Sequence, residues 1–404
     1  MSQNPGAQTQ MNDTQMQTPA ECPETIARVR AVPAAGRTIT RTSGRLADGR
    51  EIIFFDDDPA YATGARRRVI DDRRPLGPRE APPRDAASIR TDPLTGDQVV
   101  LAAHRQNRTY KPPADQDPLA PTQGDALTEV PEPDYDVVVF ENRFPSLQGG
   151  WELYRDEPLR HETSPAGRCE VVCFTSDTHG AFKDLGHQRT RTVIEAWADR
   201  TAELSARGDV RQVFVFENRG EEIGVTLPHP HGQIYAYSYL PPYTRAVLAQ
   251  AERYDGDLLG DALDRELQEG TRIIAQTEHW VAFVPYAAKW PVEAQIMPRR
   301  AVPDFAALDE AEREELADLY PDLLARLDRF FDRPLPYIAA WHQTPSGCGD
   351  RLSRMWLDVF SLLRSPRKLK YLAGSESGVA AWVSDTTPER IASRLREVGQ
   401  EAHA

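Results

Sequence analysis

Two histidines separated by one proline, His229-Pro230-His231, with Gly232 and Gln233 behind them, form the stretch of this chain best equipped for chemistry. In extended backbone, residues two apart face the same way, so His229, His231 and Gln233 are expected to project together. Pro230 fixes the backbone between the rings and brings no donor. Gly232 would let a bulky group approach the main chain, and Gln233 offers an amide N–H₂ to an oxyanion. A neutral imidazole is populated at pH 7 and is a good nucleophile. Attack on phosphorus then asks mainly for in-line positioning and for donors around the non-bridging oxygens. The loop ahead of the histidines, with Gly220 and Gly224, could supply backbone N–H groups, and Asn218 and Thr226 side-chain donors. An HxH pair on a strand equally suits zinc ligands or buried hydrogen-bonding rings, and the spacing leaves these readings open.

Those residues need a scaffold, and the pattern around them is mixed. DQVVLAAH, DYDVVVFEN, CEVVCFTS and QVFVFEN read as strands, and GRLADGREIIFF as a hairpin about Asp48-Gly49. Residues 190–206 form an amphipathic pattern with Val193, Ile194, Trp197, Thr201 and Leu204 on one face and Gly208 as its stop. A helical stretch over 243–267 opens a second block, whose strands are HWVAFVPYA and AQIMP. A helix over 309–331 should kink or split at Pro321. The last helix is capped by Thr387, starts at Pro388, turns Ile391, Leu395 and Val398 to one side, and should stop at Gly399. Residues 73–85, rich in Pro and Arg, read as irregular surface chain. Without a regular βαβ rhythm, the class expected is α+β with largely antiparallel sheet.

The 404 residues suffice for two cores of ordinary size. A net charge of −14 opposes nucleic acid as a partner, so an anionic small substrate would need a local cationic pocket. No apolar run is long enough to span a bilayer, and MSQNPGAQTQ lacks the features of a secretory signal, so a cytoplasmic location is expected. Cys22, Cys169, Cys173 and Cys348 form no CxxC; Cys169 and Cys173 should share one strand face in the core.

The run FENRG…G…PHPHGQIYAY resembles the signature of the galactose-1-phosphate uridylyltransferase family, a branch of the histidine-triad superfamily. The resemblance spans about residues 46–398 and implies that His231 becomes uridylylated while Gln233 contacts the transferred phosphoryl group. Asn218, Gly224 and Thr226 match phosphate-loop contacts. RTDPLTGDQVVLAAHRQNR is similar to a block whose arginines contact the nucleotide, here Arg105 and Arg108. VVVFENRFPSL is similar to the segment holding the nucleoside, here Asn142 and Arg143. HWVAFVPYAAKWPVE resembles a signature in the family's second domain. SLLRSPRKLKYLAGSES resembles the sugar-contacting tail, here Lys370 and Glu376.

The resemblance further implies two histidine-triad-like halves with antiparallel sheets and flanking helices. Residues 1–38 read as a disordered tail, 39–242 as the half with the nucleophile, and 243–404 as a second half in which His279 is structural. The implied reaction exchanges a nucleoside monophosphate, UMP by default, between UDP-glucose and galactose 1-phosphate by a ping-pong route, in a homodimer. Alternatives are a related nucleotidyltransferase or phosphorylase with another base, sugar or acceptor, and a silent nucleotide-binding protein.

Two family metal sites depart from pattern. At the zinc site Asp117 and Ala120 stand where cysteines are expected, a third ligand position falls near Asp156, and His229 alone matches. At the iron or zinc site Trp341-His342 is present, but Arg354-Met355-Trp356 replaces an HxH and Val247 stands near the expected Glu. No cofactor is therefore expected. The segment after Glu376 reads SGVAAWV and lacks the family's polar glutamine, which bears on the choice of sugar.

Overall fold

A computed structural model describes residues 28–34, 36–79, 83–84, 86–107, 112–113, 116–349 and 351–401. In chain order the first half contains β1 (Arg28–Ala34), β2 (Arg37–Arg45), β3 (Glu51–Asp56), the short helix α1 (Pro59–Ala62), β4 (Ala87–Thr91), β5 (Gln98–Ala102), β6 (Val137–Glu141), β7 (Leu153–Glu157) and β8 (Arg160–Thr163). It continues with β9 (Gly167–Cys173), α2 (Gly186–Ser205), β10 (Gln212–Arg219) and β11 (His231–Tyr237). The second half contains α3 (Pro242–Arg253), α4 (Leu258–Glu269), β12 (Ile273–Gln276), β13 (Trp280–Phe283), β14 (Val292–Pro298), α5 (Glu310–Arg329), β15 (Tyr337–His342) and β16 (Trp356–Ser361). The chain closes with β17 (Leu363–Ser365), β18 (Lys368–Leu369), α6 (Gly374–Val379) and α7 (Pro388–Glu401).

Among the described residues, twelve strands join in one sheet of order β1-β2-β3-β6-β9-β11-β10-β15-β16-β14-β13-β12. The order is symmetric about the β10–β15 pair, where Glu217 faces Ala339. On one side runs β6-β9-α2-β10-β11 and on the other β13-β14-α5-β15-β16, so the halves repeat one plan and share one sheet. The ladders are antiparallel, as the sequence suggested. A smaller sheet, β5-β4-β8-β7, stands apart.

Helices α2 and α5 cover one face of the large sheet. Trp197 and Phe182 pack there with Tyr320, Phe305 and Trp341, all essentially buried. The residues placed on one face of α2 are all in this core. Over the first half, the opposite face is closed by the segment 119–135: Leu119, Val130 and Tyr135 pack on Phe54, Val138, Phe140, Val171 and Cys173. Strand β11 therefore alternates. Gly232, Ile234 and Ala236 are buried toward the helices, while His231, Gln233 and Tyr235 are half-buried on the other face.

Several expectations are corrected. Strand β1 occupies part of the stretch read as a tail, because Ala34 is buried and Val32 packs against the core; Pro33 is tolerated on an edge strand. The rest of that stretch, residues 1–27, lies outside the described residues. Helix α5 runs unsplit through Pro321, which removes one backbone donor on a half-exposed side while Leu316, Tyr320, Leu323 and Leu324 stay buried. The stretch 243–267 is two helices, broken near Gly256 at φ 149°. Gly399 does not stop α7, which continues to Glu401. It is buried against the Arg326 guanidinium, and any side chain there would collide with it.

Candidate active site

His231 opens β11 and pairs with Cys173 of β9, on the sheet face away from α2. It borders a cavity of about 680 Å³. Its Nδ1 lies 2.7 Å from the His229 carbonyl. A carbonyl only accepts, so Nδ1 carries the hydrogen and the neutral ring keeps its lone pair on Nε2. That is the tautomer a nucleophile needs.

His229 does not line the cavity. The ladder begins at His231, so the strand alternation expected to bring both rings together does not reach back to His229. Its ring is buried: Nδ1 is 2.9 Å from Asp117 Oδ2, and Nε2 is 2.8 Å from Thr175 O and 2.9 Å from Tyr135 Oη. Tyr135 donates its hydroxyl to Leu119 O at 2.9 Å. Burial raises the Asp117 carboxyl, but the contact with His229 and the Leu119 N–H outweigh it and hold the group below the ordinary range.

The other site residues come from five segments of the chain. Gln233 follows on β11, and Asn218 lies on β10. Gly224 and Thr226 belong to the β10–β11 loop, and Asn142 and Arg143 follow β6. Together with Arg105 beyond β5, all border the cavity. Arg105 donates to Ser146 Oγ, and Arg143 sits 3.5 Å from Glu129 and over the Phe144 ring. The two guanidinium groups and the Glu129 carboxylate leave this cavity with more positive than negative side chains, in a chain whose net charge is −14. Asn142 Oδ1 accepts from Phe144 N at 2.8 Å, which turns the segment and leaves the amide hydrogens as its donors. Arg108 lies outside the described residues.

The glycine loop acts differently from expectation. Ile223 and Val225 donate their N–H groups to Gly220 O, and Gly224 donates to Glu221 O. Those amides close the loop on itself, with Gly220 at φ 104° and Gly224 at φ 84°. Donors on this cavity wall include the side chains of Thr226, Asn218 and Gln233. Gly232 is also reinterpreted. A Cβ there would lie 2.8 Å from Phe174 Cζ and 3.0 Å from Phe216 O, so the glycine serves packing behind the strand.

Lys370 and Glu376 do not border the His231 cavity. Lys370 Nζ donates to the carbonyls of Lys289 and Val383 and stands 3.7 Å from Glu376. Sequence reasoning missed Phe216 and Tyr235, whose rings meet edge to face at 5.1 Å in the cavity wall, and Phe140, Phe144 and Glu129. Alternation alone would have found the first two, at two positions from Asn218 and Gln233 on the same strands.

Neither metal site fits its ion. Zinc in a closed site wants soft sulfur and a nitrogen lone pair. Here both His229 nitrogens face protein oxygens, Asp117 is spent on that ring, and Asp156 lies on β7 beside His161. At the second site His342 Nε2 pairs with Asp358 at 3.1 Å and its ring stacks on Trp356, while Arg354 donates to Pro298 O and Arg299 O. Among the described residues, the one cluster with metal-like spacing is Glu278, His279 and Glu315, in which His279 Nδ1 is 2.8 Å from Glu315. No helix among the described residues is long and apolar enough to cross a membrane.

Similarity to known proteins agrees with this geometry. Residues 79–241 match the family described as galactose-1-phosphate uridyl transferase, N-terminal domain, and residues 243–404 match its C-terminal domain. The galactose-1-phosphate uridylyltransferase of Streptomyces lividans is 44% identical over 374 residues, covering 89% of this chain and 98% of that protein. The Thermotoga maritima enzyme of the same name is 34% identical, covering 78% and 99%. A solved uridylyltransferase structure superposes with a TM-score of 0.69 at 28% identity, over 78% of this chain and all of that one. An Arabidopsis thaliana ADP-glucose phosphorylase shares the fold at a TM-score of 0.58 and 19% identity, over 76% and 97%. With both of its halves matched by the family's two domains and a 44% identical relative covering most of the chain, this chain belongs to the galactose-1-phosphate uridylyltransferase family.

Proposed function

We propose that the chain moves UMP between UDP-glucose and galactose 1-phosphate through a uridylyl-His231 intermediate. Nε2 attacks the α-phosphorus of UDP-glucose; the N–P bond forms as the bond to the bridging oxygen breaks, and glucose 1-phosphate leaves with that electron pair. It is a stable anion and needs no proton to depart. Galactose 1-phosphate then attacks the same phosphorus, releasing His231 and forming UDP-galactose. The Nδ1–H stays on the ring throughout, hydrogen-bonded to His229 O. Gln233, Thr226 and Asn218 donate to the non-bridging oxygens, where charge builds up in the transition state. Arg105 and Arg143 anchor the nucleotide, with Asn142 beside them. No step requires a metal.

The observation that carries this reading is His231 at the cavity edge, its tautomer set by a carbonyl and a donor-bearing wall on either side. Incubation with a panel of nucleotide sugars, with product analysis, tests it; UDP-glucose and galactose 1-phosphate should be the preferred pair. A second reading changes the sugar or acceptor. It is favoured by the apolar stretch after Glu376, where Trp382 packs on Trp290 at 4.9 Å. Preference in the panel for another base, another sugar or inorganic phosphate would select it.

The working unit in this proposal is a homodimer in the cytoplasm, each copy completing the other's site with Lys370 and Glu376. Their absence from the lining of their own chain's cavity supports this, as do the exposed Tyr371 and Val379 on the same tail, 80% and 76% accessible.

A further inference from the structure

We infer that Asp117 and Tyr135 are positioning residues for His231, acting through the His229 ring in the place where relatives of this chain would hold a metal. The inference rests on His231 being the nucleophile. Its ground is a continuous set of contacts. Asp117 Oδ1 accepts from Leu119 N at 2.9 Å, and Oδ2 lies 2.9 Å from His229 Nδ1. Tyr135 donates to Leu119 O at 2.9 Å, and its oxygen faces His229 Nε2 at the same distance. Thr175 O takes the other approach to Nε2, at 2.8 Å. The side chain of His229 is wholly inaccessible, so the ring has no alternative partners in water.

A buried, satisfied histidine would by itself be only a structural feature. What makes this one more is its own carbonyl, which accepts from His231 Nδ1 at 2.7 Å. Pro230 holds the preceding His229 to extended ψ, which limits how far its carbonyl can turn relative to its anchored side chain, and fixes φ on the way to His231. Holding the ring by both nitrogens holds the carbonyl, and the carbonyl selects which nitrogen of His231 bears the lone pair. The 117–120 turn thus performs with oxygen donors and acceptors what a closed metal site would perform by coordination. Small errors in aim at a reacting centre are costly, which gives the clamp its kinetic consequence.

The test uses full-length protein dialysed against a chelator, with Asp117→Ala, Asp117→Asn and Tyr135→Phe variants. One readout is the single-turnover rate of uridylyl transfer from UDP-glucose to His231, with KM measured separately. The other is the nitrogen NMR spectrum of ¹⁵N-histidine-labelled protein, which reports the His231 tautomer without turnover. Asp117→Ala should slow transfer about 10- to 100-fold with KM changed less than about twofold, and should move His231 from the Nδ1–H form to a mixture. Asp117→Asn, which keeps one acceptor oxygen for the ring but sets its N–H₂ against Leu119 N, should recover part of both. If Asp117→Ala fails to fold, the milder Tyr135→Phe should show the same tautomer shift in smaller degree. Unchanged rate and tautomer in the folded variants would overturn the inference. So would a chelated wild type that loses transfer and regains it with stoichiometric zinc. A wild type that forms no adduct with any donor, but whose His231 tautomer still responds to Asp117→Ala, would overturn the proposed reaction and leave the clamp standing.

Discussion

At the scale of single residues, the proposed reaction divides labour between the attacking nitrogen of His231 and the donors around it. Gln233 lies on β11 two residues beyond His231, half-buried on the same strand face. It is assigned to oxygens whose charge grows in the transition state. Gln233→Ala should therefore lower kcat by about 100-fold and leave KM nearly unchanged. Steady-state kinetics with UDP-glucose would check this, and a rise in KM at constant kcat would move Gln233 from catalysis to uniform binding. Residue roles were legible here to an uneven degree. The HPHGQ run pointed to a segment of which His231 and Gln233 do border the cavity, because residue types and spacing in one strand are local signals. The burial of His229 behind Tyr135 was invisible, since its partners lie 94, 54 and 112 positions away in the chain.

At the scale of elements, two strands and the helices behind them keep that geometry. Gly232 is sandwiched between the Phe174 ring and the Phe216 carbonyl, so Gly232→Ala should overpack the β11–β10 pair and cost about 1–3 kcal/mol. Chemical denaturation would measure it; a loss of activity without a loss of stability would contradict the packing explanation. On β10, Glu217 points the other way, into the α5 side of the core, where Tyr337 donates to it at 3.0 Å and Tyr320 at 3.5 Å. Burial pushes its carboxyl from 4.5 up to about 7, against those hydrogen bonds and nearby Arg219. A folded-state value above the unfolded one gives stability that is full below about pH 4.5 and is lost as pH rises through about 7. Glu217→Gln should remove that loss. Its stability relative to wild type should rise by roughly 3 kcal/mol between pH 4.5 and pH 8, read from denaturation curves at the two values. A pH-independent difference would show that the carboxyl is not titrating in the core. Elements with strong periodicity, α2 and the β9 run, were legible in sequence. The α5 helix through Pro321, the continuation of α7 past Gly399 and the edge strand β1 were not, because tertiary packing overrode a local signal at each.

At the scale of the whole molecule, the symmetric strand order joins both halves in one sheet, and His231 lies in the first. The mirror arrangement could not be read from residues, since β10 and β15 pair across more than a hundred positions. The site of one chain lacks Lys370 and Glu376, which the proposed second copy would bring. Mixing His231→Gly with Lys370→Ala protein, each inactive alone, should restore up to about a quarter of wild-type activity through mixed dimers. No restoration, with subunit exchange verified, would place the tail in its own chain's site or outside the reaction. The central claim is the covalent one, and intact-protein mass measurement after incubation with UDP-glucose alone tests it most directly. The account predicts one uridylyl group per chain, located on the peptide containing His231, removed by galactose 1-phosphate and absent from a folded His231→Gly variant. A chain that turns over only with both substrates bound, and never carries the nucleotide, would contradict it.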